Sequence, residues 1–241
     1  MTLRFEPPAG TPHLTRLILL HGAACGPWIW GDGFAQRLAA AGHPCTAVTL
    51  QGATLSDRVG TVRAALEQGP AVLVGHSLGA LIAQRLLDDP RVRGAALMAP
   101  VPPEGLWWSN AHLAASNPAL WGEVARLTGS GEPSPALARG LFGPGMDQGA
   151  AMLHAAKLRD ESPAALMEAQ MPQPVTPGWI HGRPVLVLGA EHDRLIPRDA
   201  MERCAGWHGV AARVLPGVGH LMMLDAGWEL AADRIAAWVP A

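Results

Sequence analysis

Short runs of apolar and β-branched residues alternate along this chain with longer segments whose apolar positions recur every three to four residues. Residues 14–20, 44–50, 71–75, 92–98, 184–189 and 212–215 read as strands. Residues 33–41, 56–68, 78–88, 198–207 and 226–238 carry helical spacing. Gly42 closes the first helix and Gly69-Pro70 the second, since glycine and proline end helices for opposite backbone reasons. Strands separated by helices of this length predict a mostly parallel, doubly wound α/β sheet with helices on both faces.

The alternation breaks once. Between Pro100 and about residue 184 the text runs "VPPEGLWWSNAHLAASNPALWGEVARL" to "MEAQMPQPVTPGWIHGRP", with helical patches, frequent Pro and Gly, and no strand pattern. An irregular stretch of that length inside a compact domain is usually functional. The expected organisation is a core of residues 1–100 and 181–241 with a helical lid, residues 101–180, inserted into it. Leu, Met and Trp recur in the insertion at helix-like spacing, which separates it from a linker.

Composition narrows the function classes. A chain of 241 residues, 49% hydrophobic and 16% charged, fits one large domain without disordered tracts or repeats. The formal charge of −2 gives no attraction to nucleic acid or an anionic membrane surface. Lys157 is the only lysine. The first residues lack a basic stretch followed by a long apolar one, so a cytoplasmic protein is expected. Cys25, Cys45 and Cys204 are odd in number and lack metal-ligand spacing, which predicts buried free thiols and neither disulfides nor a metal site.

The chemistry starts at "VLVGHSLGALIAQRLL", residues 72–87. Here Ser77 stands between Gly75 and Gly79 where a predicted strand hands over to a predicted helix, the setting of a G-x-S-x-G nucleophile turn. Such a turn exposes the hydroxyl and sets the Leu78 amide where it can donate to a developing oxyanion. A serine needs a histidine base oriented by a carboxylate, and in this topology the order is Ser, then Asp or Glu, then His. "AEHDRLIP" follows the strand at 184–189 and "PGVGHLMMLD" follows the strand at 212–215. Asp193 and His220 thus sit past the carboxyl ends of late strands. Glu191 and His192 compete in the first loop, where Asp193 fits better by its spacing from Pro197. The first strand ends in His21-Gly22, where glycine permits a backbone turn and the Ala23 amide supplies a second oxyanion donor.

The stretches "LLHGAACGPWIW", "VLVGHSLGALIAQ", "LVLGAEHDRLIP" and "LPGVGHLMMLD" resemble the α/β-hydrolase superfamily across essentially the whole chain. The resemblance implies the α/β-hydrolase fold, a Ser77–His220–Asp193 triad under a cap of variable helices, and no cofactor. More narrowly, "HGAACGPWIW" with "AAAGHPCTAVTLQG" resembles the plant-type esterase and hydroxynitrile lyase branch. The lyases of that branch carry a lysine directly after the catalytic histidine and a hydroxyl residue after the first-strand histidine. Leu221 and Gly22 stand there in this chain, which points to the esterases.

The expected function is hydrolysis of a small-molecule carboxylic ester, thioester or lactone with a modest apolar part. Trp107, Trp108, Trp121, Met146, Met152, Met167 and Leu221 are candidate pocket residues, packing within the lid being the alternative for the aromatic and methionine positions. Two other classes remain open at this level: a ligand sensor with slow or single-turnover hydrolysis, and a lyase acting on a carbon–carbon or cyanohydrin bond.

Overall fold

The computed structural model describes residues 2–126 and 134–240. Among them, seven strands form one sheet in the order β1-β3-β2-β4-β5-β6-β7. These are β1 (Thr2–Phe5), β2 (Leu17–Leu20), β3 (Cys45–Val48), β4 (Ala71–His76), β5 (Val92–Met98), β6 (Val185–Ala190) and β7 (Arg213–Leu215). Strands β2 to β7 are mutually parallel, and β1 adds antiparallel to β3 at the edge. All six expected strands are present. Strand β1 was not expected, because its alternation of exposed and half-buried residues runs for only four positions, the shortest stretch over which such a pattern marks a strand.

Helices α1 (Phe34–Ala40), α2 (Leu55–Leu66) and α3 (Leu78–Gln84) follow β2, β3 and β4. Between β5 and β6 stand α4 (Trp107–Ser116), α5 (Pro118–Arg126), α6 (Pro135–Leu141), α7 (Gln148–Ala155) and α8 (Pro163–Ala169). Helices α9 (Arg198–Trp207) and α10 (Trp228–Trp238) follow β6 and β7. Alternate strand residues face opposite ways. Leu17, Leu19, Val72 and Val74 therefore pack with Trp30, Phe34 and Ile235 on one face, and Ile18, Leu20 and Leu73 pack with Val59, Ile82 and Cys204 on the other. Among the described residues no helix is long and apolar enough to cross a membrane.

A buried polar chain ties both ends of the long helical segment to Gln84 and His208, which stand at the ends of two helices packed on the sheet. Gln84 donates from Nε2 to the Val101 carbonyl at 2.9 Å and accepts at Oε1 from His208 Nε2–H at 3.2 Å. His208 Nδ1 in turn accepts from the Gly178 amide at 3.2 Å. Those bonds require neutral His208, and burial lowers its pKa from the ordinary 6.5 to about 4.

The turn from β4 into α3 is the tightest point of the fold. Ser77 adopts φ 51 and ψ −115, which is disfavoured for a residue bearing a Cβ. The Ser77 amide donates to the Met98 carbonyl at 2.9 Å, and its own carbonyl accepts from Ala80 at 3.0 Å and Leu81 at 3.2 Å. A Cβ at Gly75 would lie 2.5 Å from the Gly79 carbonyl oxygen, and one at Gly79 would lie 2.3 Å from the Leu20 oxygen and 2.5 Å from the His21 oxygen. Both glycines are thus demanded by close backbone approach.

Two consequences can be measured. Gly79→Ala forces backbone against backbone and should lower unfolding stability by about 3 kcal/mol, read from urea titration; an unchanged midpoint would show that β2 and α3 separate freely. For His208 the folded state disfavours the proton, so the unfolded chain binds more protons between about pH 6.5 and 4 and stability falls as pH drops through that window. His208→Gln cannot titrate and should show a shallower loss over the same window. Superimposable slopes would assign the acid sensitivity to other groups.

Candidate active site

Strands β2 and β4 are neighbours, but the chain leaves β2 toward β3 on one side and leaves β4 toward β5 on the other. Connections that diverge this way open a crevice at the carboxyl edge of the sheet, where ligands of open α/β sheets bind. Ala23 follows β2, Ser77 follows β4, Asp193 follows β6 and His220 follows β7. Four loops from four strands meet there.

His220 and Asp193 are joined through Nδ1 and Oδ2 at 2.9 Å, with the side chains 6% and 4% exposed. A carboxylate only accepts, so Nδ1 carries the proton and Nε2 presents its lone pair. The other oxygen of Asp193 accepts from the amides of Leu195 and Ile196, each at 2.9 Å, which fixes the carboxylate plane. Glu191 faces elsewhere, accepting from the Gly217 amide at 2.8 Å with His192 beside it at 3.6 Å. Of the three candidates in that loop, Asp193 is the one that reaches His220.

The His220 turn is pinned from below. His76 donates from Nε2 to the His220 carbonyl at 3.0 Å, the two rings lying 4.7 Å apart. Burial first, and the neighbouring His220 ring second, hold the His76 pKa well below the ordinary histidine value. Asp225 Oδ2 accepts from Gly219 and from Gly143, both at 2.7 Å. His76 and Asp225 are supports of the site that the sequence pattern does not single out. Their signals, a histidine inside the serine motif and an acidic residue a few positions past the catalytic-histidine candidate, are plain only once the partners are adjacent.

The turn after β2 differs from expectation in one respect. Gly22 takes no positive φ; it is required because a Cβ there would lie 2.7 Å from His76 Nδ1 and 3.1 Å from the Ser77 Cβ. The left-handed residue is Ala24, at φ 58. His21 locks the start of the turn, donating from Nδ1 to the Gly22 carbonyl at 2.8 Å and accepting at Nε2 from Leu50 at 3.1 Å. Among the described residues neither the Ala23 nor the Leu78 amide donates to another group of the protein.

Ala23, Ser77, His76 and His220 border a cavity of about 440 Å³, a size that suits a small organic molecule. Its wall is mainly apolar: Leu106, Leu113, Trp121, Val124, Leu141, Leu158, Leu166, Leu195, Ile196 and Leu221 among others. The polar exceptions are engaged. Asn110 donates to Gln170 at 2.7 Å, and Glu161 is paired with Arg58. Burial pulls the Glu161 carboxyl upward, but hydrogen bonds and charge from Arg58 with two backbone amides outweigh it, and the net shift is downward.

Of the expected wall residues, Trp121, Met167 and Leu221 border the cavity. Trp107 and Trp108 do not; they are 63% and 69% exposed. Helix α4 turns Leu106, Asn110 and Leu113 inward at i, i+4 and i+7, which leaves the tandem tryptophans outside. Met146 and Met152 are half-buried against the hydrophobic cluster on the α1 and α10 face. Cys45 and Cys204 are buried thiols, but Cys25 borders the cavity, its pKa raised to about 12 by burial. Among the described residues no group of three His, Cys, Asp or Glu side chains is arranged to hold a metal ion.

The α/β hydrolase family model matches residues 17–236. A thermophilic esterase from Thermogutta terrifontis superposes with a TM-score of 0.72 at 16% identity, over 99% of this chain and 97% of that one. The monoacylglycerol lipase of Paleococcus ferrophilus gives 0.67 at 17% identity, over 99% and 97%. A bromoperoxidase from Bacillus anthracis gives 0.67 at 14% identity, over 98% and 91%. At such identities the likeness establishes the fold alone. No curated protein sequence matches the chain. With a family model spanning nearly the whole chain, this protein belongs to the α/β hydrolase family.

Proposed function

We propose that this protein is a serine hydrolase that cleaves small to medium apolar carboxylic esters through an acyl-enzyme on Ser77. The observation that carries the reading is the Asp193–His220 hydrogen bond, which leaves the free Nε2 lone pair of His220 at the same cavity that Ser77 borders. In this mechanism Ser77 Oγ attacks the ester carbonyl as His220 Nε2 takes its proton. The amides of Ala23 and Leu78, which have no acceptor among the described residues, hold the oxyanion. The protonated His220 then gives its proton to the leaving alkoxide, and water repeats the sequence to free the acid. Asp193 keeps the imidazole in the productive tautomer throughout.

Residues 101–180 act as the lid in this reading, supplying most of the apolar wall. A neutral substrate is favoured because the charged group in that wall, Glu161, is already paired with Arg58, and a second buried charge would stay unpaired. Cyanohydrin cleavage is disfavoured, since it needs a fixed cation beside the base to receive cyanide. Leu221 stands directly after His220, and Lys157 lies near Asp32 at 3.8 Å and over the Trp28 ring, outside the cavity lining.

The assay is hydrolysis of p-nitrophenyl acetate, butyrate and longer esters, beside cleavage of mandelonitrile. Ester turnover is expected, strongest for short to medium uncharged acyl groups, and mandelonitrile cleavage should not exceed the buffer rate. Ser77→Ala should lower ester turnover by roughly four to six orders of magnitude, as triad deletions do elsewhere, with the thermal melt unchanged. More than a tenth of the activity surviving in Ser77→Ala would remove Ser77 from the mechanism. Rapid Ser77-dependent release of benzaldehyde without ester hydrolysis would make the protein a lyase.

A further inference from the structure

The turn that carries Ala23 is held by a distant part of the chain. Ala24 sits at φ 58, a left-handed conformation that its Cβ disfavours. Both polar groups of its backbone are engaged from residues 159–161. The Arg159 amide donates to the Ala24 carbonyl at 2.9 Å, and the Ala24 amide donates to Glu161 Oε2 at 3.0 Å.

The Glu161 carboxylate has no free capacity. Oε2 also accepts from Arg58 Nη1 at 3.1 Å, and Oε1 accepts from Arg58 Nη2 and from the Ser162 amide, the latter at 2.6 Å. Two bonds on each oxygen use the acceptor positions of a carboxylate. Glu161 borders the cavity, yet nothing is left for a substrate to bind. The two side chains of the pair are each 6% exposed, and burying such a pair is no better for stability than well-packed apolar residues of similar volume. What apolar residues cannot do is present a fixed acceptor to the Ala24 amide.

We propose that Glu161, braced by Arg58, is a positioning residue for the oxyanion donor: by bonding the Ala24 amide it holds the strained turn that presents the Ala23 N–H to the cavity. The inference rests on Ala23 acting as that donor. It couples the donor to the seating of residues 101–180, because Arg159 and Glu161 belong to that segment whereas Arg58 lies on α2.

The test uses the full chain with Glu161→Ala, Glu161→Gln and Arg58→Met. Amide exchange at Ala24 is read by fragmentation mass spectrometry. Steady-state kinetics on p-nitrophenyl butyrate and inhibition by a butyl boronic acid, which forms a tetrahedral adduct on serine, are measured below each variant's melting range. In Glu161→Ala, Ala24 exchange should rise at least about tenfold, and kcat should fall about 10- to 100-fold with KM changing less than about threefold. The boronate Ki should rise in step with the loss of kcat. Glu161→Gln keeps one acceptor oxygen and should recover part of each effect.

Unchanged Ala24 exchange in folded Glu161→Ala overturns the brace. Faster exchange with unaltered kcat and boronate affinity overturns the positioning role and leaves only a structural clamp. If Glu161→Ala does not fold, Glu161→Gln and Arg58→Met decide by the same readings. If the wild-type protein hydrolyses no ester, the ester reading fails, and Ala24 exchange alone decides whether the carboxylate holds the turn.

Discussion

The carboxyl edge of this sheet is assembled around contacts that only glycine permits. Gly79 brings α3 against the carbonyls of Leu20 and His21, Gly75 admits the first turn of that helix, and Gly22 admits the His76 ring. Without these approaches β2 and β4 could not present Ala23 and Ser77 to one cavity. Ser77 is held in a conformation its Cβ disfavours, and the flanking bonds from Met98, Ala80 and Leu81 over-determine it.

Around that edge, buried polar groups act on the site at one remove. His76 bonds the carbonyl of His220, Asp225 the amide of Gly219, His21 the carbonyl of Gly22, and Glu161 the amide of Ala24. Each is a side chain fixing a backbone position. Such groups are expensive to leave half-paired: breaking one partner of a buried ion pair such as Arg58–Glu161 costs about 3–5 kcal/mol. The site is therefore stiff in its loops while the cavity wall is set mainly by apolar side chains, which tolerate changes of shape more readily.

Much of this was legible in the residues. Six parallel strands and the helices of the sheet faces were readable because continuous apolar runs and three-to-four spacing report burial directly. The G-x-S-x-G motif was readable because its glycines are a steric requirement of the turn, and Asp193 and His220 because loops past the carboxyl ends of late strands converge at one edge. Edge strand β1 was not readable, since its alternation lasts only four residues. The tandem tryptophans misled for a related reason. Helical spacing shows that a face exists, but in a segment that is apolar on more than one side it does not show which face turns inward, and Leu106, Asn110 and Leu113 took that role.

The sequence by itself determined the fold class, the strand-end positions of the candidate catalytic residues and the near-neutral, apolar character of the chain, because those follow from local periodicity and from motifs that are themselves steric rules. Only the tertiary structure decided which lid side chains wall the cavity, and that Gly22 answers to the ring of His76 while Ala24 takes the left-handed turn. Those are matters of contact between residues far apart in the chain, as with Ala24 and Glu161, and no local pattern encodes a distance across a fold.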